Sequence, residues 1–218
     1  MRDPVILPAQ KDHRYSVIWL HGLGADGNDF APLIPQLNLS DHTRFILPHA
    51  PVRPITLNGG FAMPGWYDIV SLDRTAPQDE TGIVQSAETV RALIAQEQQQ
   101  GIAADHIFLV GFSQGGAMAL FTGVTHPERL AGILGLSTYL PIAEKAAELR
   151  TDANQLTPIA MVHGTQDDIV PYAFGKKSHM ALREWGYDAQ WQDYPMAHEV
   201  CQPEVAFIAE WLRRHGAA

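Results

Sequence analysis

Six short runs of β-branched and aliphatic residues recur along the chain: SVIWL at 16–20, RFIL at 44–47, IFLV at 107–110, AGILGL at 131–136, IAMV at 159–162 and AQWQ at 189–192. Most are nearly continuous in apolar residues, the pattern of strands covered on both faces. Between them, residues 81–100, 114–125, 172–185 and 199–215 have helical character. In the first of these, Ile83, Val84, Ala87, Val90, Leu93 and Ile94 recur at three- and four-residue spacing and make one buried stripe. Gly101 stands where that helix would end. Strands alternating with helices predict an α/β fold, a mostly parallel central sheet with helices on both faces. Ligands in such sheets bind beyond the carboxyl ends of the strands, so the loops that follow the apolar runs are where chemistry is expected.

Residues 50–79 break this rhythm. They are rich in Pro and Gly and carry Phe61, Met63, Trp66 and Tyr67. A long loop with that aromatic content is expected to be ordered, either walling a pocket or covering the core near the sheet edge. No repeat or linker divides the chain, and 218 residues suit one layered domain over 1–218.

Composition narrows the partners. Fifteen basic against 24 acidic residues give a formal charge of -9, with no basic cluster beyond Lys176-Lys177 and Arg213-Arg214. Phosphate backbones need a concentrated basic patch, so nucleic acid is not an expected partner. Cys201 is the one cysteine, which excludes an internal disulfide and points to a reducing compartment. Prolines and charges interrupt the first residues where a secretory signal needs an apolar stretch. No run of about 18 apolar residues occurs, so a cytoplasmic protein without a membrane span is expected.

The central motif is Gly111-Phe112-Ser113-Gln114-Gly115, directly after one predicted strand and opening a predicted helix. A serine on that sharp turn is exposed at the top of the sheet, and small neighbours let the strained backbone pass. The string alone would arise by chance in roughly one chain in ten of this length, so its context carries the argument. A base is expected in the loop after the last strand, where Pro195-Met-Ala-His198 lies. His126, His179 and His215 fall at a helix boundary, inside a helix and in the tail. The acid is expected after the preceding strand, where His163-Gly-Thr-Gln-Asp167-Asp168 offers two adjacent aspartates that spacing does not separate. His163 is read as support for that loop. The glycine-rich turn from His21 to Gly27 lacks both the phosphate-loop and dinucleotide spacings, and sits where backbone amides bind an oxyanion. Its expected donors are the N–H groups of Leu23 and of Gln114, the residue after the nucleophile. The ten histidines show no paired ligand spacing, so neither a metal nor another cofactor is expected.

With these residues in hand, the chain resembles the phospholipase/carboxylesterase family that includes acyl-protein thioesterases, and its bacterial carboxylesterase members in particular. The matching segments are HGLGADGNDF from His21, LPHAP from Leu47, MPGWYDI from Met63, GFSQGGAMAL from Gly111, LSTYLP from Leu136, HGTQDDIVP from His163 and the Met196-Ala-His198 turn. The resemblance implies Asp167 as the acid, oxyanion donors at Leu23 and Gln114, an α/β-hydrolase fold without a large lid, and a homodimer. It makes Phe61, Met63 and Trp66 part of an acyl-binding wall. Implied substrates are short esters, lysophospholipids or acylated proteins. A lactonase or peptidase with the same triad, and a silent acyl-binding module, are the alternatives.

Overall fold

The computed structural model describes residues 2–71 and 77–217. Seven strands form one sheet: β1 (Val5–Leu7), β2 (Tyr15–Leu20), β3 (Thr43–Leu47), then β6 (Ile107–Phe112), β7 (Gly132–Leu136), β8 (Ile159–Gly164) and β9 (Ala189–Tyr194), in the order β1-β3-β2-β6-β7-β8-β9. All neighbours pair in parallel except β1, which runs antiparallel to β3. The strand order reverses beside β2 and β6, and a crevice at the carboxyl ends opens there.

Successive residues of β2 feed opposite layers, as strand geometry requires. Ile18 and Leu20 join the core under α1 (Glu80–Gln99) and α2 (Gln114–Val124), while Val17 and Trp19 pack on the other face toward α5 (Gln202–Arg214). α4 (Tyr172–Glu184) contributes Leu182 to the first layer. Every residue of α2 is buried, so this helix runs through the interior rather than along the surface. The stripe on α1 is buried as its spacing predicts at Ile83, Ala87, Val90, Leu93 and Ile94.

Four features depart from the expectation. Residues 50–79, read as a loop, contain a hairpin of β4 (Val52–Ile55) and β5 (Phe61–Pro64), which carries prolines at Pro54 and Pro64 and stands apart from the main sheet. β1 is a three-residue, half-buried edge strand. The short α3 (Ala143–Leu149) follows Ile142, whose backbone is left-handed at φ 37°. α5 also begins three residues later than expected, because Cys201 is still extended and Pro203 falls in the first turn, where a missing N–H costs nothing.

One buried group is anomalous. Glu204, in the first turn of α5, is fully buried, and neither carboxyl oxygen has a hydrogen-bond partner among the described residues. Burial pushes its pKa up to about 8, and only the nearby Cys201 N–H, outside hydrogen-bond geometry, pulls the other way.

Candidate active site

β6 ends at Phe112 and α2 begins at Gln114, leaving Ser113 alone to turn the chain at φ 53° and ψ -119°. A residue with a side chain is strained there, at a cost of about 1–3 kcal/mol. Its surroundings hold it: the Ser113 N–H donates to the Leu136 carbonyl at 2.8 Å, and the Thr138 hydroxyl donates to the Ser113 carbonyl at 2.6 Å. The turn is tight enough that a Cβ on Gly111 would overlap the Gly115 carbonyl, and one on Gly115 would overlap the Leu20 carbonyl. These two positions accept only glycine, because backbone meets backbone directly.

His198, in the loop between β9 and α5, sets Nε2 at 2.9 Å from the Ser113 hydroxyl and Nδ1 at 2.7 Å from Asp167 Oδ2. A carboxylate only accepts, so Nδ1 carries the proton and Nε2 is left to accept from the serine. The other oxygen of Asp167 accepts from the N–H groups of Ile169 at 3.0 Å and Val170 at 2.8 Å. Burial is the largest single influence on Asp167 and pushes its pKa up. The hydrogen bond from His198, the Val170 N–H and the pull of the neighbouring His198 and His163 rings together outweigh it, and the carboxyl is held below its ordinary value of 3.8. Asp168 points to solvent. His163 is fully buried, donates from Nε2 to the Val170 carbonyl at 2.8 Å, and stacks on Trp191. Burial lowers its pKa, which keeps it neutral as a brace for the Asp167 loop.

The turn after β2 approaches the same serine: a Cβ on Gly22 would lie 3.4 Å from that of Ser113. Two histidines brace this turn, a feature the sequence reading did not isolate. His21 Nδ1 donates to the Gly22 carbonyl at 2.7 Å while its Nε2 accepts from the Ala50 N–H at 3.0 Å, and His49 Nδ1 accepts from the Gly27 N–H at 3.1 Å. Leu23 follows Gly22 in this turn, and the Gln114 N–H opens α2, ahead of the intrahelical ladder. The Gln114 side chain does separate work: its carbonyl oxygen accepts from the Trp66 N–H and its amide donates to the Tyr67 carbonyl, both at 2.8 Å. It thereby clamps the chain that walls the cleft onto the start of the nucleophile helix.

Ser113, His198 and Gln114 open onto a cavity of about 370 Å³ whose walls include Leu57, Tyr67, Ile69, Val70 and Tyr139. Phe61, Met63 and Trp66 do not line it. Phe61 projects into solvent from the hairpin, Met63 is half-buried beside Gly24, and Trp66 is wholly buried, its indole N–H donating to the His21 carbonyl at 2.9 Å. Of the two roles open to the aromatic loop, Trp66 has the core one. The cleft is instead formed by residues just beyond it: Trp66 is turned into the core while Tyr67–Val70 line the opening. Among the described residues no group of three or more His, Cys, Asp or Glu is placed to hold a metal ion. No described helix is long and apolar enough to cross a membrane.

A family model described as Phospholipase/Carboxylesterase matches residues 1–216. The chain belongs to the phospholipase/carboxylesterase family. It is 43% identical over 222 residues to acyl-protein thioesterase 1 of Neurospora crassa, covering 97% of this chain and 91% of the relative, and 41% identical to its namesake in Gibberella zeae, covering 97% and 94%. The crystal structure of acyl-protein thioesterase 2 from Zea mays superposes with a TM-score of 0.88 at 30% identity, covering 97% of this chain and 98% of that one. This phospholipase/carboxylesterase family member is thus an α/β-fold hydrolase of carboxylic esters, and its mostly parallel sheet carries no large lid among the described residues.

Proposed function

We propose that the enzyme removes acyl groups from proteins or lipids, as thioesters or oxyesters, through an acyl-enzyme on Ser113. His198 takes the hydroxyl proton as Ser113 attacks the acyl carbonyl, while Asp167 fixes the imidazole tautomer and stabilises the imidazolium that forms. The N–H groups of Leu23 and Gln114 receive the oxyanion, where one such donor lowers the barrier by about 3 kcal/mol. His198 then protonates the departing thiol or alcohol. Water, deprotonated by the same imidazole, attacks the acyl-serine and frees the carboxylic acid.

The observation that carries this reading is the unbroken hydrogen-bonded series from Ser113 through His198 to Asp167 at the mouth of an apolar cavity. An acyl chain seated against Leu57, Ile69 and Val70 gains about 0.8 kcal/mol for each buried methylene, which supports acyl rather than polar substrates. Identity of 43% to an acyl-protein thioesterase supports acylated proteins among them. We read residues 1–218 as one catalytic domain, on the support of a single sheet that supplies every member of the series. The same reading has the enzyme acting as a homodimer in the cytoplasm; the sole cysteine supports a reducing compartment, and light scattering tests the dimer.

The test is hydrolysis of p-nitrophenyl esters from acetate to palmitate, with a palmitoyl thioester alongside, by wild type and Ser113→Ala. The variant is expected to lose turnover on every substrate and to lose labelling by a fluorophosphonate probe while remaining folded. Labelling that persists in the folded variant would move the nucleophile elsewhere.

A further inference from the structure

The lining of the cavity around Ser113 is of two kinds. One is apolar and includes Leu57, Ile69 and Val70. The other comprises Gly22, Ala25 and Asp29, and Ala25 and Asp29 also line an adjoining depression of about 390 Å³ shared with Gly24, Asp26, Asn28 and Pro64. Two carboxylates lie among the described residues of the main cavity. Asp68 has both oxygens engaged, one by the Thr56 N–H at 2.7 Å and the other by the Thr56 hydroxyl at 2.5 Å. Asp29 is exposed, and among the described residues its carboxylate has no hydrogen bond or ion pair. The neighbouring Asp26 is different: it accepts from the Asn28 backbone N–H at 2.7 Å and side-chain amide at 3.0 Å, and meets Arg2 at 3.4 Å.

A tetrahedral centre on Ser113 points its acyl chain and its leaving group apart. With the chain seated against Leu57, Ile69 and Val70, Asp29 is the uncommitted carboxylate among the described lining residues that is left to meet the leaving thiol or alcohol. Resting on the function proposed above, we infer that Asp29 is a specificity-determining residue, which favours a leaving group carrying positive charge, namely an acylated cysteine flanked by lysine or arginine. The uncommitted carboxylate attracts such a flank without first surrendering a partner. Near water that attraction is modest, about fivefold in kcat/KM, and is screened by salt.

The experiment uses two octanoyl-cysteine peptides that differ only in flanking residues, lysine in one and glutamine in the other. Their kcat/KM ratio is measured for wild type, Asp29→Asn, Asp29→Glu and Asp26→Asn, with p-nitrophenyl butyrate turnover followed in parallel. The wild-type ratio is expected near five, to fall to about one in Asp29→Asn, to recover in Asp29→Glu, and to persist in Asp26→Asn, whose charge is already engaged. A wild-type ratio near one overturns the inference. So does an equal fall in Asp26→Asn, which would reduce the effect to the general field of an acidic protein. If wild type cleaves p-nitrophenyl butyrate but neither peptide, the inference fails and the esterase survives. If it cleaves none of the three, the proposed function fails as well.

Discussion

Replacing Glu204 with glutamine is expected to reverse its effect on stability between acid and alkaline conditions. The wild-type carboxyl is fully buried without a partner, and its pKa lies at about 8 against an ordinary 4.5. In the unfolded chain it loses its proton near the ordinary value, whereas the folded protein retains the proton until about 8. Between these values the unfolded state binds fewer protons, so stability falls as pH rises. The contribution is fully present below the lower value and is lost through the upper one. The slope is about 1.4 kcal/mol per pH unit, amounting to about 3–5 kcal/mol over the interval. Glutamine does not titrate, but it leaves a buried amide without an acceptor at every pH, at about 1–3 kcal/mol. Urea unfolding followed by tryptophan fluorescence should therefore find Glu204→Gln less stable than wild type near pH 5 and more stable above about pH 8.5. Because about 1 kcal/mol moves the melting temperature by about 2–4 °C in a protein of this size, calorimetry should show the same crossing. A constant offset between the two proteins at both pH values would show that Glu204 is ionised in the fold, and the reasoning from burial would be refuted.

Asp167→Asn should lower kcat by about 10⁴, because the asparagine amide holds the wrong imidazole tautomer, while Asp168→Asn changes it by less than about fivefold; comparable losses would reject Asp167 as the partner of His198. Ser113→Gly and Ser113→Ala both remove the hydroxyl, but only glycine relaxes the backbone at φ 53°, so the glycine variant should be more stable by about 1–2 kcal/mol in urea titration. If the alanine variant is the more stable, the turn is not strained. Trp66→Ala should cost about 3–5 kcal/mol of stability and leave the relative rates on short and long p-nitrophenyl esters unchanged. Val70→Ala should do the opposite, weakening the preference for long chains with little loss of melting temperature; a chain-length effect at Trp66 alone would return that residue to the cleft wall. Gln114→Ala keeps its backbone N–H but frees the Trp66–Tyr67 segment, and should raise KM for long-chain esters. An unchanged KM together with an unchanged melting temperature would show that the clamp has no role.

What was legible in the sequence follows from burial on two faces. The runs that became β2, β3, β6, β7 and β8 are nearly all apolar because both sides are covered, and the helices between them carry their own periodicity. β1 was illegible because three half-buried residues carry no period, and the hairpin of β4 and β5 because its prolines read as breakers. Ser113 was visible through crowding that admits only glycine around it, a constraint local in sequence. Asp167 and Asp168 were not separable by residue type and needed the resemblance. The cleft wall was harder still. Whether Trp66 or Val70 faces the cavity depends on the direction of the chain after Gly65, which is set by the Gln114 side chain 48 and 47 residues away from its two contacts. The histidine braces escaped for the same reason, since His21 and Ala50 meet only in three dimensions.

The contact of Gly111 with Gly115, and of Gly115 with the end of β2, has a consequence for how freely this enzyme can diverge. Where the nucleophile turn meets its neighbours, main-chain atoms abut without an intervening side chain. Residues elsewhere in the interior can therefore exchange volume with one another over many generations without transmitting the change to the position of Ser113. A library that randomises the apolar faces of α1 and α5 while fixing the two glycines should lose members to misfolding far more often than to a displaced nucleophile.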